Sequence, residues 1–249
     1  MLRTRVIPVL LLKDLGLVKT VQFSDPKYVG DPINAVKIFN EKEIDELIFL
    51  DITATNEKKK LSFDLLSKIA SEAFMPFAYG GGLCDIEDVK KIMSIGIEKI
   101  IINTYAFKNP SFVKEVADKF GSQSVVVAID AKKNTVGNYE VFINSGKVNT
   151  GKDPVNYAMQ SEKMGAGEIF INSIDQDGTR EGFDLELIKS VSGAVHVPVI
   201  ASGGAGNVRD LANAIKSGAS AVAAGSMFIF IGPYRAVLIN YPDQKELEF

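Results

Sequence analysis

Cysteine, histidine and tryptophan are nearly absent: the 249 residues hold one cysteine, Cys84, one histidine, His196, and no tryptophan. One cysteine excludes an internal disulfide, and one Cys with one His leaves a Cys/His metal centre almost without ligands. Charge of one sign is also missing, since 28 Lys+Arg against 31 Asp+Glu give a formal net charge of −3. Without a basic excess to neutralise phosphates or an anionic bilayer, neither nucleic acid nor membrane is expected as a partner. The apolar stretches 6–12 and 226–232 fall far short of the roughly 20 residues of a membrane-spanning helix. The start, Met1 to Arg5, leads directly into a strand pattern with no signal peptide. A cytoplasmic protein without metal or cofactor is expected.

A hydrophobic content of 46% with 24% charged residues is enough for one large core. Short β-branched runs alternate with stretches of helical period. Strands are predicted at 5–11, 46–51, 76–79, 99–103, 124–130, 168–172, 197–201 and 221–224. Helices are predicted at 32–42, 62–72, 86–95, 110–120, 154–164, 184–191 and 208–216. Eight strand–helix units in about 250 residues is the arithmetic of a single α/β domain, a (β/α)8 TIM barrel spanning 1–249. An open doubly wound sheet would spend that length on fewer strands and longer helices. An internal repeat supports the barrel: Pro76 to Gly82 aligns with Pro198 to Gly204, and at the same offset Asp88 meets Asp210 and Gly96 meets Gly218. The chain reads as two similar half-barrels.

Each half carries a glycine loop at the C-terminal rim, Gly80-Gly81-Gly82 after strand three and Ser202-Gly203-Gly204 after strand seven. Glycine lets backbone N–H groups approach an anion closely. The following strands add Asn103-Thr104 and Gly225-Ser226, so each half has one candidate phosphate cradle. The plainer alternative is that these glycines only turn the chain; the symmetric pairing with hydroxyl partners favours a phosphorylated small-molecule substrate.

Motifs spread along nearly the whole chain carry a family resemblance: Lys13-Asp14, Gly30-Asp31-Pro32, Phe49 to Ala54, Lys108-Asn109-Pro110, Val127 to Lys132, Asp175 to Thr179 and Val199 to Gly206. With these the chain resembles the cyclase subunit of imidazole glycerol phosphate synthase, the ammonia-using half of a glutamine amidotransferase in histidine biosynthesis. The resemblance implies a glutaminase partner at the N-terminal barrel face, ammonia passing through the barrel, and a doubly phosphorylated ribonucleotide at the C-terminal rim. It also implies two catalytic rim aspartates. Asp130, ending strand five, matches one; where the family reads Leu-Asp-Val-Lys at strand one, this chain has Leu11 in the aspartate position. Leucine can neither donate nor accept a proton, and losing one member of a carboxylate pair costs orders of magnitude in rate.

Strand parity turns Arg5, Glu46, Lys99 and Glu168 inward at the opposite end, matching the family's salt-bridged ammonia gate. A plug of mutually satisfied ion pairs would have the same sequence. A gate without the strand-one carboxylate suggests a paralogue that still channels ammonia, of the kind that, with a third sugar-modifying protein, converts an acetamido group of a bacterial surface sugar into an acetamidino group. The alternatives are a genuine cyclase in which Asp14, Asp51 or Asp177 replaces the lost carboxylate, and a non-catalytic phosphate-binding scaffold. Lys19 in the long first rim loop, Asp51, Asn172, Asp177 and Gly178 are further candidates for contacting substrate. Cys84 is expected to pack and His196 to lie on the surface or pack. Glu57 to Lys60 reads as a solvated loop.

Overall fold

The structure is a computed structural model describing residues 4–57 and 61–248, the Asn56 side chain excepted. Eight parallel strands form its centre: β1 (Arg5–Lys13), β2 (Leu47–Asp51), β3 (Phe77–Gly80), β4 (Lys99–Ile102), β5 (Val125–Lys133), β6 (Glu168–Ser173), β7 (Val199–Ser202) and β8 (Ala221–Ala224). Each pairs with its successor, and β8 returns to β1 with Arg5 opposite Ala221, so the sheet closes on itself and leaves the barrel no open edge. Among the described residues, seven helices of eight residues or more alternate with the strands: α1 (Pro32–Glu41), α2 (Phe63–Glu72), α3 (Ile86–Ser94), α4 (Pro110–Phe120), α5 (Pro154–Lys163), α6 (Leu185–Ser192) and α7 (Val208–Lys216). Their starts are chemically marked: Asp31, Asp85, Asp153, Asp184 and Asn207 each accept a hydrogen bond from a first-turn amide, satisfying donors that the helix leaves orphaned.

Strand parity sorts the apolar residues into two layers. Ile7, Val9, Leu11, Ile48, Ala78, Ile101, Val126, Ala128, Phe170 and Ile200 fill the barrel interior. Their strand neighbours, among them Val6, Leu10, Phe49, Tyr79, Val127 and Ile171, face the helices. Full burial of one such side chain stabilises by about 1.5–3 kcal/mol, so slipping a strand by one residue exchanges both layers and is strongly disfavoured.

The structure departs from the sequence-based expectation in three places. The first rim loop is an antiparallel hairpin, Gly16–Val21 with Ser24–Gly30, continuing β1 through the pair Leu11–Val18. Its tip uses left-handed backbone at Gln22, Phe23 and Asp25, none of them glycine, just before Pro26. After β5 the chain forms a second rim hairpin, with Tyr139–Ile143 pairing back onto β5. Finally, the eighth helix is only Ser226–Ile229; a short strand pair, Phe230–Ile231 with Ala236–Val237, and an extended tail follow. Tyr241 fastens that tail, its hydroxyl donating to the Val6 carbonyl at 2.9 Å.

Candidate functional site

A cavity of about 800 Å³ opens at the C-terminal rim, and the residues expected there from the sequence line it, Asp14 excepted. The half-buried Asp130, from the end of β5, receives Asn172 Nδ2 on one oxygen at 3.3 Å and Asn103 Nδ2 on the other at 3.1 Å. Burial pushes its carboxyl up to about 7 against the two amide bonds, with Asp177 repelling the charged form further. Such a group holds or releases a proton near neutral pH, as general acid–base work requires. Four strands round the barrel, Leu11 stands where a second carboxylate is expected, 8% exposed among Val9, Val18 and Leu50. The cavity floor below Asp130 is apolar, formed by Val9, Ile101, Ala128 and Phe170.

Lys19 departs from the default of a solvated loop lysine. The hairpin folds inward, leaving it 5% exposed and its Nζ against the Gly225 backbone, where a Cβ would lie 2.1 Å away. Burial lowers its pKa and the nearby Asp177 opposes that; burial raises Asp177, opposed by Lys19, Thr20 and the Phe23 amide. The hairpin is fastened over the β6 rim loop by Gln22, whose backbone N–H donates to the Asp177 carbonyl and whose Nε2 donates to the Asp175 carbonyl, each at 2.8 Å. Gly178 permits this approach, since a Cβ there would sit 2.3 Å from the Thr20 carbonyl oxygen.

Asp51 lines the cavity, but one of its oxygens accepts three bonds at 2.9 Å, from Thr53 N, Thr53 Oγ1 and Ala54 N, and so caps the short helix Ala54–Glu57. Among the glycine-loop residues, Gly81, Gly82 and Thr104 lie on one wall, and Ser202, Gly203, Gly204, Gly225 and Ser226 on another. Asp14 sits on the exposed hairpin approach and does not line the cavity. Cys84, expected to pack, is instead exposed and lines the cavity, the buried position of this segment being taken by Leu83. His196 is on the surface, with its backbone N–H held by Glu162 Oε1 at 2.7 Å. Thr20, Phe23, Thr55 and Ser145 also line the cavity, brought there by the two hairpins and the short helix that no sequence period revealed. Of the run 57–60, only Glu57 is described; Lys58, Lys59 and Lys60 lie outside the described residues.

At the opposite end of the barrel the four inward charges close into a ring. Arg5 Nη1 reaches Glu46 at 2.5 Å and Nη2 reaches Glu168 at 2.6 Å, while Lys99 Nζ lies 3.1 Å from each of the same two carboxylates. Burial alone would lower the Arg5 pKa; Glu168 and Glu46 outweigh it and leave it raised. All four groups are paired with opposite charge, which offsets the cost of removing them from water. Among the described residues, no His/Cys/Asp/Glu group is placed to hold a metal ion, and no helix is long and apolar enough to cross a membrane.

Residues 5–232 match the family described as histidine biosynthesis protein. A Pseudomonas aeruginosa protein, provisionally named imidazole glycerol phosphate synthase subunit hisF2, is 53% identical over 249 residues, covering 100% of this chain and 99% of its own. A Leptospira borgpetersenii protein, provisionally named imidazole glycerol phosphate synthase subunit HisF, is 48% identical over 100% of this chain and 98% of its own. The imidazole glycerol phosphate synthase subunit HisF of Endomicrobium trichonymphae is 45% identical over 92% of this chain and 88% of its own.

Proposed function

Because the chain belongs to the histidine biosynthesis protein family, as a barrel subunit similar to those of imidazole glycerol phosphate synthase, we propose that it is the ammonia-using subunit of a glutamine amidotransferase whose acceptor chemistry is no longer imidazole ring closure. The observation that carries this is Leu11, an apolar side chain at the strand-one rim facing a cavity with Asp130 on its far side. In this reading a glutaminase docks against the N-terminal face, where the ring of Arg5, Glu46, Lys99 and Glu168 guards the entrance. Neutral ammonia then crosses the apolar interior, which favours it over ammonium because an unpaired charge there loses its hydration. Asp130 is the remaining proton carrier at the exit, oriented by Asn103 and Asn172. The acceptor we favour is an acetamido group of a bacterial surface sugar, converted to an acetamidino group with a third, sugar-modifying protein.

One observation supports a second reading, a genuine ring-closing cyclase: Asp177 lines the same cavity and is charge-coupled to both Lys19 and Asp130. Asp14 does not line the cavity, and the capping bonds of Asp51 tie down one of its oxygens, so Asp177 is the carboxylate this reading relies on. An ammonia-driven assay with the doubly phosphorylated ribonucleotide of histidine synthesis separates the two. The proposal expects no turnover by the native chain and a gain with Leu11→Asp; native turnover abolished by Asp130→Asn would overturn it. A non-catalytic scaffold would instead remain silent in both forms and tolerate Asp130→Asn in the cell.

A further inference from the structure

The two glycine loops are alike in sequence but not in hydrogen bonding. On the β3–β4 wall, the Gly82 N–H is already donated to Thr55 Oγ1 at 3.2 Å. Thr104 Oγ1 donates to Asn103 Oδ1 at 3.2 Å and accepts the Asn144 N–H at 2.9 Å, so its single proton is committed and one lone pair is filled by the β5 hairpin. A phosphate there has to displace bonds the protein makes with itself. On the β7–β8 wall the reverse holds. Ser226 Oγ is buried with no partner, its residue being only 5% exposed, and the half-buried Ser202 lines the same wall. The ammonium of Lys19 lies against Gly225 on the same wall. Buried polar atoms without partners are costly unless something binds them, and a buried hydroxyl donor next in sequence to the glycine that a lysine ammonium touches is suited to a phosphate.

We propose that only the β7–β8 wall is a working phosphate site, so that the ligand carries one phosphate group instead of one at each end. The remainder of that ligand extends toward β1–β4 and meets Leu11, Leu50 and Ile101, which suits an uncharged group. This rests on the reading of the glycine loops as phosphate sites and narrows the substrate class to phosphomonoesters, excluding the bis-phosphorylated ribonucleotide.

The test is equilibrium dialysis of the purified chain against radiolabelled inorganic phosphate, with amide NMR spectra to locate the bound anion and confirm folding. One phosphate per chain is expected, with shifts at 202–204 and 225–226. Ser226→Ala is expected to weaken binding at least tenfold, while Thr104→Val leaves the affinity within twofold. Two phosphates per chain, or binding lost in a folded Thr104→Val protein, would overturn the inference while leaving the ammonia reading intact. The native stoichiometry decides even if a variant does not fold. No phosphate at either wall would overturn the inference together with the phosphate reading itself; turnover of the bis-phosphorylated ribonucleotide in the cyclase assay would separately overturn the proposed function.

Discussion

Asp130 makes the stability of this protein depend on pH in a direction opposite to that of a salt-bridged carboxylate. Its carboxyl titrates at about 7 in the folded chain against 3.8 for the unperturbed group. Below the lower value both states hold the proton and the group contributes nothing. As pH rises between the two values, the unfolded chain ionises while the folded one stays neutral, so stability falls; above 7 the whole penalty is in place. With these limits roughly 2–3 kcal/mol is lost between pH 5 and pH 8, at about 1.4 kcal/mol per pH unit in the steep part. For a chain of this length that corresponds to a fall in Tm of roughly 5 °C. The assay is thermal and urea unfolding of the native chain and of Asp130→Asn at matched pH values, the difference between the two curves removing the other titrating groups. The variant is expected to be the more stable at pH 8, by less than the full penalty because one face of its amide meets a neighbouring amide donor. Parallel curves from pH 5 to 8, or a carboxyl ¹³C titration of Asp130 with a midpoint near 4, would refute the reasoning.

Lys99→Met leaves Glu46 and Glu168 sharing Arg5 alone and is expected to destabilise by about 3 kcal/mol in urea unfolding, whereas Lys99→Met with Glu46→Gln, which preserves the ring's charge balance, costs less. Tyr241→Phe strands the Val6 carbonyl and is expected to cost about 1–1.5 kcal/mol without altering the rim cavity, checked by unfolding and by an unchanged phosphate affinity. Gly204→Ala drives a Cβ to 2.0 Å from the Gly182 carbonyl oxygen at a φ of +110°, and a loss of about 2 kcal/mol or more is expected together with weakened phosphate binding. Gln22→Ala frees the rim hairpin from Asp175 and is expected to increase amide exchange across 16–30 while leaving global unfolding within about 0.5 kcal/mol.

The barrel was legible because its information is local and periodic. Runs such as Val125 to Ile129 can only be strands buried on both faces, and α4 begins at Pro110 and ends at Phe120 as the sequence predicts because proline starts it and Gly121 stops it. Parity likewise placed Arg5, Glu46, Lys99 and Glu168 inside, since a strand alternates its side chains whatever surrounds it. The repeat located the two glycine loops, and the expected rim residues converge on one cavity. What the sequence left open was set by contacts between distant segments. The first rim segment becomes a hairpin with non-glycine left-handed residues at its tip because Asp177 and Asp175 hold Gln22 from across the rim, and that docking buries Lys19. One oxygen of Asp51, a candidate for contacting substrate, is taken up by the amides of Thr53 and Ala54, a local bond that the sequence does not announce. Whether a glycine loop keeps its donors free depends on Thr55 on one wall and on the lack of any such neighbour for Ser226 on the other. Period and parity are properties of a chain; which donors remain unpartnered is decided only when segments far apart in sequence have taken their places.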